Sequence, residues 1–244
     1  SINGVDAWGR FCLDRYSRSE REWLRAQHGL GKAEYILGFV GRVVRDKGVE
    51  DLAAAWSTIQ SEFPAAYLVI IGPEESQDPV SPAVMKSLRE DPRVIMLGRV
   101  EDPAPWYAVF DLVVLPTHRE GFGMVLIEAA AMEVPVVATR IPGCVDAVQD
   151  GVTGTLVPPR DPESLAAAIR AYLKAPELRR RHGQAGRERV LREFRQEAIW
   201  EALFQEYVRL LQEKGLPPPK PDQIVEFESV GAHEPATAGV AGSN

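Results

Sequence analysis

Cysteine is scarce in this chain: Cys12 and Cys144 are the only two in 244 residues. Two such thiols provide no disulfide framework and no zinc-ligand spacing, so both read as free thiols in a reducing compartment. Long apolar runs are missing as well. None approaches the ~18–20 residues of a membrane span, and no signal peptide opens the chain. The expectation is a cytoplasmic protein. Basic charge is not in excess either. The net charge is −7 and the pI about 5.3, which argues against a nucleic-acid partner. No cluster of metal-ligating residues appears.

Apolar residues are plentiful, at 45%, enough for one large domain or two small ones. Runs at 35–40, 67–71, 94–97, 112–115, 135–138 and 155–157 read as strands, several of them stopped by glycine or proline. Stretches at 18–28, 49–63, 83–89 and 125–132 read as helices, and 105–110 as a helical turn. Asp161 is placed to cap a further helix, with Pro162 at its first position. Two amphipathic helices then fill 176–193 and 196–213. Strands separated by helices predict an α/β fold, a Rossmann-like doubly wound parallel sheet of about six strands with helices on both faces. Residues 1–34 read as an interdomain linker leading into a domain at 35–213. Residues 214–244, rich in Pro, Gly and Ala, read as a tail.

The stretch 120–128 stands at the centre of this plan. It carries the chain from a buried strand through a glycine turn into a helix. The helix start offers backbone N–H groups and the positive end of a dipole, and Gly121 and Gly123 let backbone approach a ligand closely. A phosphate is the expected guest. Glu120 and Glu128 flank that anion site and suit neutral hydroxyls of a sugar or ribose. Arg42 and Lys47, in the loop after the first strand, suit a diphosphate. A solvated basic loop, with Arg45 and Asp46 sharing the charge, is the plainer reading of that segment. In a parallel sheet the loops at 41–48, 98–103 and 120–123 all open on the same edge, where ligands of such folds sit.

Taken together, Gly41-Arg42, Lys47-Gly48, Glu120-Gly121-Phe122-Gly123, Glu128, the Pro135 segment and the loop from Asp150 to Gly154 resemble the nucleotide-sugar-binding half of family-4 retaining glycosyltransferases of the GT-B fold. The resemblance runs over roughly residues 3–212. It implies that Gly41, Arg42 and Lys47 line the diphosphate site, with the two cations stabilising the leaving nucleoside diphosphate. It implies that Gly123 and Met124 add backbone donors. Glu120, helped by Gly121 and the backbone of Phe122, would hold the transferred sugar; Glu128 would hold the ribose; and Val100 would meet the base through its backbone. Glu120, Arg42 and Lys47 are thus the expected catalytic residues, with Glu120 an orienter and not a nucleophile. No tightly bound cofactor or metal is implied; the nucleotide-sugar, a UDP-sugar, is the substrate.

The same resemblance implies that an N-terminal acceptor domain is missing, so that this chain alone transfers little or nothing. The acceptor would be a saccharide or polyprenyl-linked sugar in bacterial polysaccharide synthesis, with peripheral membrane contact in the full-length protein. Glu133 stands where that family usually has glycine, and Gly143-Cys144-Val145-Asp146 departs from its common pattern. Alternatives are a non-catalytic nucleotide-binding module, a nucleotide-sugar epimerase and a phosphorylase, the last requiring a lysine-bound pyridoxal phosphate. His118 reads as a surface histidine, Arg119 as a partner of Glu120 or of the missing domain, and Asp102 as a helix cap. Trp56, Trp106 and Trp200 read as packing residues. Arg179, Arg180, Arg181, Arg187 and Arg189 read as a solvated helix face, with anionic lipid headgroups as the alternative partner.

Overall fold

The computed structural model describes residues 4–214, apart from the side chains of residues 196–203. Trp200's side chain and all of the expected tail beyond Lys214 lie outside the described residues. In chain order the elements are α1 (Arg18–Gln27), β1 (Tyr35–Val40), α2 (Val49–Glu62), β2 (Ala66–Ile71), α3 (Pro82–Glu90), β3 (Val94–Gly98), α4 (Ala104–Tyr107) and β4 (Leu112–Leu115). They continue with α5 (Met124–Ala131), β5 (Val136–Thr139), α6 (Pro142–Ala147), β6 (Gly154–Val157), α7 (Pro162–Lys174), α8 (Pro176–Glu193) and α9 (Gln196–Glu213). Among the described residues, those up to Trp200 form one compact unit, and the rest of α9 belongs to a second.

The six strands form one all-parallel sheet in the order β3-β2-β1-β4-β5-β6. Strands buried on both faces need apolar side chains at every position, which is why they read as unbroken hydrophobic runs. β4 and β5 are buried throughout. Right-handed crossovers place the helices of the two half-sheets on opposite faces, and α2 packs with α7 while α5 packs with α8. Gly38 sits mid-strand for a packing reason: a Cβ there would lie 2.3 Å from the Phe110 ring.

Helix starts follow their capping residues. Ser17 and Glu20 form a reciprocal capping box on α1, Ser81 caps α3, and Asp161 accepts from the Ser164 amide on α7 at 2.9 Å. Four details differ from the sequence reading. Residues 142–147, to which the sequence reading assigned no element, form α6. The helical turn α4 stops at Tyr107 and does not reach Phe110. Residues 45–47 make a 3-10 turn within the loop after β1.

The fourth difference concerns the α8 arginines. Arg179 donates to the Tyr172 carbonyl at 2.6 Å, at the end of α7. Arg187 donates to the Ala131 carbonyl at the end of α5. Arg189 donates to Asp146 and Ala147 at 2.9 and 3.0 Å, at the end of α6. These three are not a solvated face: they cap the orphan carbonyls of three helices, where positive charge also meets the negative dipole end. Arg180, exposed and paired with Glu177, and Arg181, exposed as well, fit the earlier reading.

Candidate functional site

With strand order 3-2-1-4-5-6, connections diverge between β1 and β4, and a crevice opens at the carboxyl ends of those two strands. The loop after β1 and the loop after β4 form its two walls. Gly48 joins them. It holds φ +71, and a Cβ on it would stand 1.9 Å from the Pro116 carbonyl oxygen, so only glycine lets the two backbones touch. The contact is extended by the His118 amide donating to the Asp46 carbonyl at 2.7 Å. Thr117, fully buried, donates its hydroxyl to the same carbonyl at 3.1 Å.

This stitching brings Lys47 to Glu120. Nζ lies 2.7 Å from Oε2, and the side chains are only 15% and 16% exposed. Arg42, on the outer part of the same loop, pairs with Glu75 at 2.7 Å and is half exposed. The loop is held on that side too: Val43 donates to Pro73 at 2.8 Å, and the Asp46 amide to Asp78 Oδ2 at 2.7 Å. Arg119 pairs with Asp46 at 2.9 Å, not with Glu120. His118 is half-buried and lies 2.6 Å from Asp51 Oδ2, so it is no free surface histidine.

The helix tip departs from expectation. The Gly123 amide donates to the Gly143 carbonyl at 3.1 Å, and the Met124 amide turns back to Phe122 at 2.8 Å. Gly123, at φ −71 and ψ 69, centres an inverse γ-turn. The two amides expected to be bare are therefore engaged. The cause is α6, which the sequence reading missed: a Cβ on its Gly143 would lie 2.4 Å from the Glu120 carbonyl oxygen. Gly121 is exposed, and a Cβ there would meet no protein atom within 4 Å. Phe122 is half-buried and packs against Phe194, with ring centroids 5.7 Å apart.

Glu128, one helical turn inside α5, accepts a hydrogen bond from the Tyr107 hydroxyl at 2.8 Å. Burial pushes its carboxyl above the usual range, and the Tyr107 bond partly offsets this. Tyr107 is itself fully buried, edge-on to Phe11 and Phe110. Val100 follows β3 and packs, half-buried, on the core. Asp102 accepts from the Ala104 amide at 3.0 Å and pairs with Arg10 at 2.8 Å. Cys144 lies near Glu120 and Thr139; burial first, then the Glu120 charge, push its thiol up to about 11. It is a protonated packing group, not a nucleophile. Trp56 and Trp106 are buried, as packing residues should be.

Tyr107, Asp51, Glu75 and Gly143 carry no motif, and only the fold brings them to this edge. Gly41, at φ +154, is pressed against Gly72, whose Cβ would lie 1.8 Å from the Gly41 oxygen. Among the described residues, no group of His, Cys and carboxylates could hold a metal, and no helix is long and apolar enough to cross a membrane.

Residues 34–175 match the family Glycosyl transferases group 1. The chain is 35% identical over 213 residues to the capsular polysaccharide biosynthesis glycosyltransferase CapM of Staphylococcus aureus, covering 87% of this chain and 54% of that one. Among solved structures, sucrose-phosphate synthase from Thermosynechococcus elongatus aligns with TM-score 0.74 at 33% identity, over 86% of this chain and 52% of the other. HepE of Anabaena, in complex with UDP-glucose, aligns with TM-score 0.70 at 25% identity, over 82% and 55%. The chain thus spans about half the length of the curated relatives it matches. On its fold and on these matches, the chain belongs to the glycosyl transferases group 1 family and carries the Rossmann-like fold of the GT-B glycosyltransferases.

Proposed function

We propose that this chain is the donor-binding half of a retaining glycosyltransferase. It would move a hexose-type sugar from a UDP-sugar to a saccharide or lipid-linked acceptor in bacterial polysaccharide synthesis. The observation that carries this reading is the Lys47–Glu120 pair, a cation and a carboxylate held together at the crevice between β1 and β4. The UDP-glucose seen with Anabaena HepE supports the choice of ligand. The capsular role in the name of the Staphylococcus relative supports the pathway class.

In this reading Lys47 and Arg42 neutralise the charge that develops on the departing diphosphate, which lowers the barrier to breaking the glycosidic bond. The start of α5 adds the positive end of its dipole, since its first two amides are engaged. Glu120 orients the sugar through its hydroxyls and Glu128 takes the ribose, each with one protein partner already fixing its rotamer. Val100 faces the base, and the open space at Gly121 accommodates the ligand. Cys144, buried with its thiol pushed up to about 11, is no candidate nucleophile, and Glu120 is read as an orienter. The route of attack is the one the family resemblance implies: the acceptor hydroxyl comes from the leaving-group side, with the leaving phosphate as base. Acceptor binding belongs to the half of such a protein that this chain does not span, and the proposed location is the cytoplasm, with peripheral contact at the inner face of the membrane as part of the full-length protein.

Calorimetric titration with UDP, UDP-hexoses and GDP-mannose tests the reading. Binding of UDP, weakened at least tenfold by Lys47→Ala or Arg42→Ala, is the expected result. Absence of any nucleotide binding at millimolar concentration, or indifference to both substitutions, overturns it.

A further inference from the structure

Both cations of the proposed donor site already hold carboxylates supplied by other loops. Lys47 holds Glu120 from the loop after β4, and Arg42 holds Glu75 from the loop after β2, each at 2.7 Å. We propose that Glu75 and Glu120 are anion surrogates that set the affinity of this site for a nucleoside diphosphate, and that Glu120 tilts it toward the sugar-bearing donor over the bare diphosphate. The inference rests on the donor-site reading above.

The geometry gives the reason. A carboxylate oxygen at 2.7 Å occupies a direction in which a phosphate oxygen would approach the same N–H. An ammonium has three N–H groups, so Lys47 can in principle keep Glu120 and take a phosphate as well. The two anions then face each other across one cation. Whether Glu120 stays or swings aside, its charge counts against the phosphate. The backbone that carries Arg42 and Lys47 is itself anchored, bonded on one side to Pro73 and Asp78 and on the other to His118 and Thr117.

The two surrogates differ in reach. Lys47 and Glu120 are mostly withdrawn from water, where charge interactions are strong. Arg42 and Glu75 are 52% and 34% exposed, so solvent and salt screen their pairing. The surrogates also differ in what compensates them. A donor brings sugar hydroxyls that can donate to Glu120 when a phosphate competes for Lys47. A bare diphosphate brings none and leaves that carboxylate facing like charge. The site therefore favours the donor before transfer and sheds the diphosphate after it. Glu75 lies on the diphosphate side alone and weighs equally on both ligands.

The test is calorimetric titration of the chain, as wild type, Glu120→Gln and Glu75→Gln, with UDP, inorganic pyrophosphate and the UDP-hexose that binds the wild type tightest. Glutamine keeps the size of the side chain and a hydrogen bond to the cation, and thermal unfolding checks that each variant folds. Glu120→Gln is expected to bind UDP and pyrophosphate about three- to tenfold more tightly while the UDP-hexose gains less, so that the ratio of the two affinities moves toward UDP. Glu75→Gln is expected to tighten all three by a similar, smaller factor of about two. If UDP binds the wild type and neither variant binds it more tightly, the surrogate role is wrong while the donor site stands. If the wild type binds neither UDP nor pyrophosphate, the donor site is wrong and the surrogate role falls with it.

Discussion

The Tyr107 hydroxyl donates to Glu128 Oε2 at 2.8 Å from a fully buried ring. α4 and α5 are thereby joined at the rim of the crevice. Tyr107→Phe keeps the ring and removes the donor, leaving a half-buried carboxylate short of a partner. The expected cost is about 1–3 kcal/mol, read by urea unfolding at neutral pH. The native carboxyl of Glu128 already titrates above its ordinary value of 4.5. As pH falls through that raised native value toward 4.5, the native state takes up a proton first, so this group's destabilising contribution is relieved. The variant should thus recover part of its deficit in mild acid, and a deficit that grows on acidification would contradict the assignment.

Gly48→Ala should be among the most harmful single substitutions. It meets a left-handed φ of +71 and a carbonyl 1.9 Å from the new Cβ. A loss of about 2–4 kcal/mol is expected, visible as a drop in the thermal midpoint. Gly121→Ala, where the new carbon finds open space, should leave the midpoint within about a degree or two.

The α8 arginines offer a contrast within one helix. Arg187→Ala strands the Ala131 carbonyl and should cost about 1–3 kcal/mol. Arg180→Ala removes an exposed pair and should stay within about 0.5 kcal/mol. Equal effects in chemical denaturation would return both residues to the status of solvated charge.

Glu133 holds φ +60, a region that suits glycine at the end of a helix. Glu133→Gly should relieve about 1 kcal/mol of strain, less whatever the 3.7 Å contact with Arg187 contributes. Denaturant midpoints of wild type and variant decide the sign, and a clearly destabilised variant would mean that the ion pair outweighs the strain.

His182 gives a pH signature of opposite sense to Glu128. It is buried, its Nδ1 meets the Tyr172 hydroxyl at 2.8 Å, and Nε2 has no partner among the described residues. Desolvation, and then the charge of Arg181, hold its pKa below 6.5. Below pH 6.5 the unfolded chain binds a proton that the native state refuses, so stability falls as pH drops toward the native value. His182→Gln should flatten that part of the stability–pH curve.

Much of the fold was legible because a parallel sheet demands continuous apolar runs, and all six strands announced themselves that way. Short elements were not. α6 has six residues, too few for a 3.6-residue period to show, and Gly143 within it reads as a breaker. Its absence from the sequence reading is the reason the Gly123 amide was expected to be bare. The site showed its chemistry but not its pairings. Lys47 and Glu120 are 73 positions apart, and nothing local tells which carboxylate an ammonium will find. Glu75 sat unnoticed in a polar loop, and Tyr107 in an apolar stretch, because the function of each depends on a neighbour from another strand's end. The arginines of α8 looked like solvated charge since the carbonyls they reach belong to three other helices.

One further consequence follows from how the chain closes on itself. Val5 pairs with Arg195 and donates to the Phe194 carbonyl at 2.9 Å, and Val5, Ala7 and Phe11 lie in the main apolar core. The stretch that matches the family, 34–175, is thus narrower than the unit that packs together. A version trimmed to those limits would forfeit Phe11, which flanks Tyr107, together with the α8 guanidinium groups. Recombinant excision should therefore follow packing, and keep residues 4–195 whole.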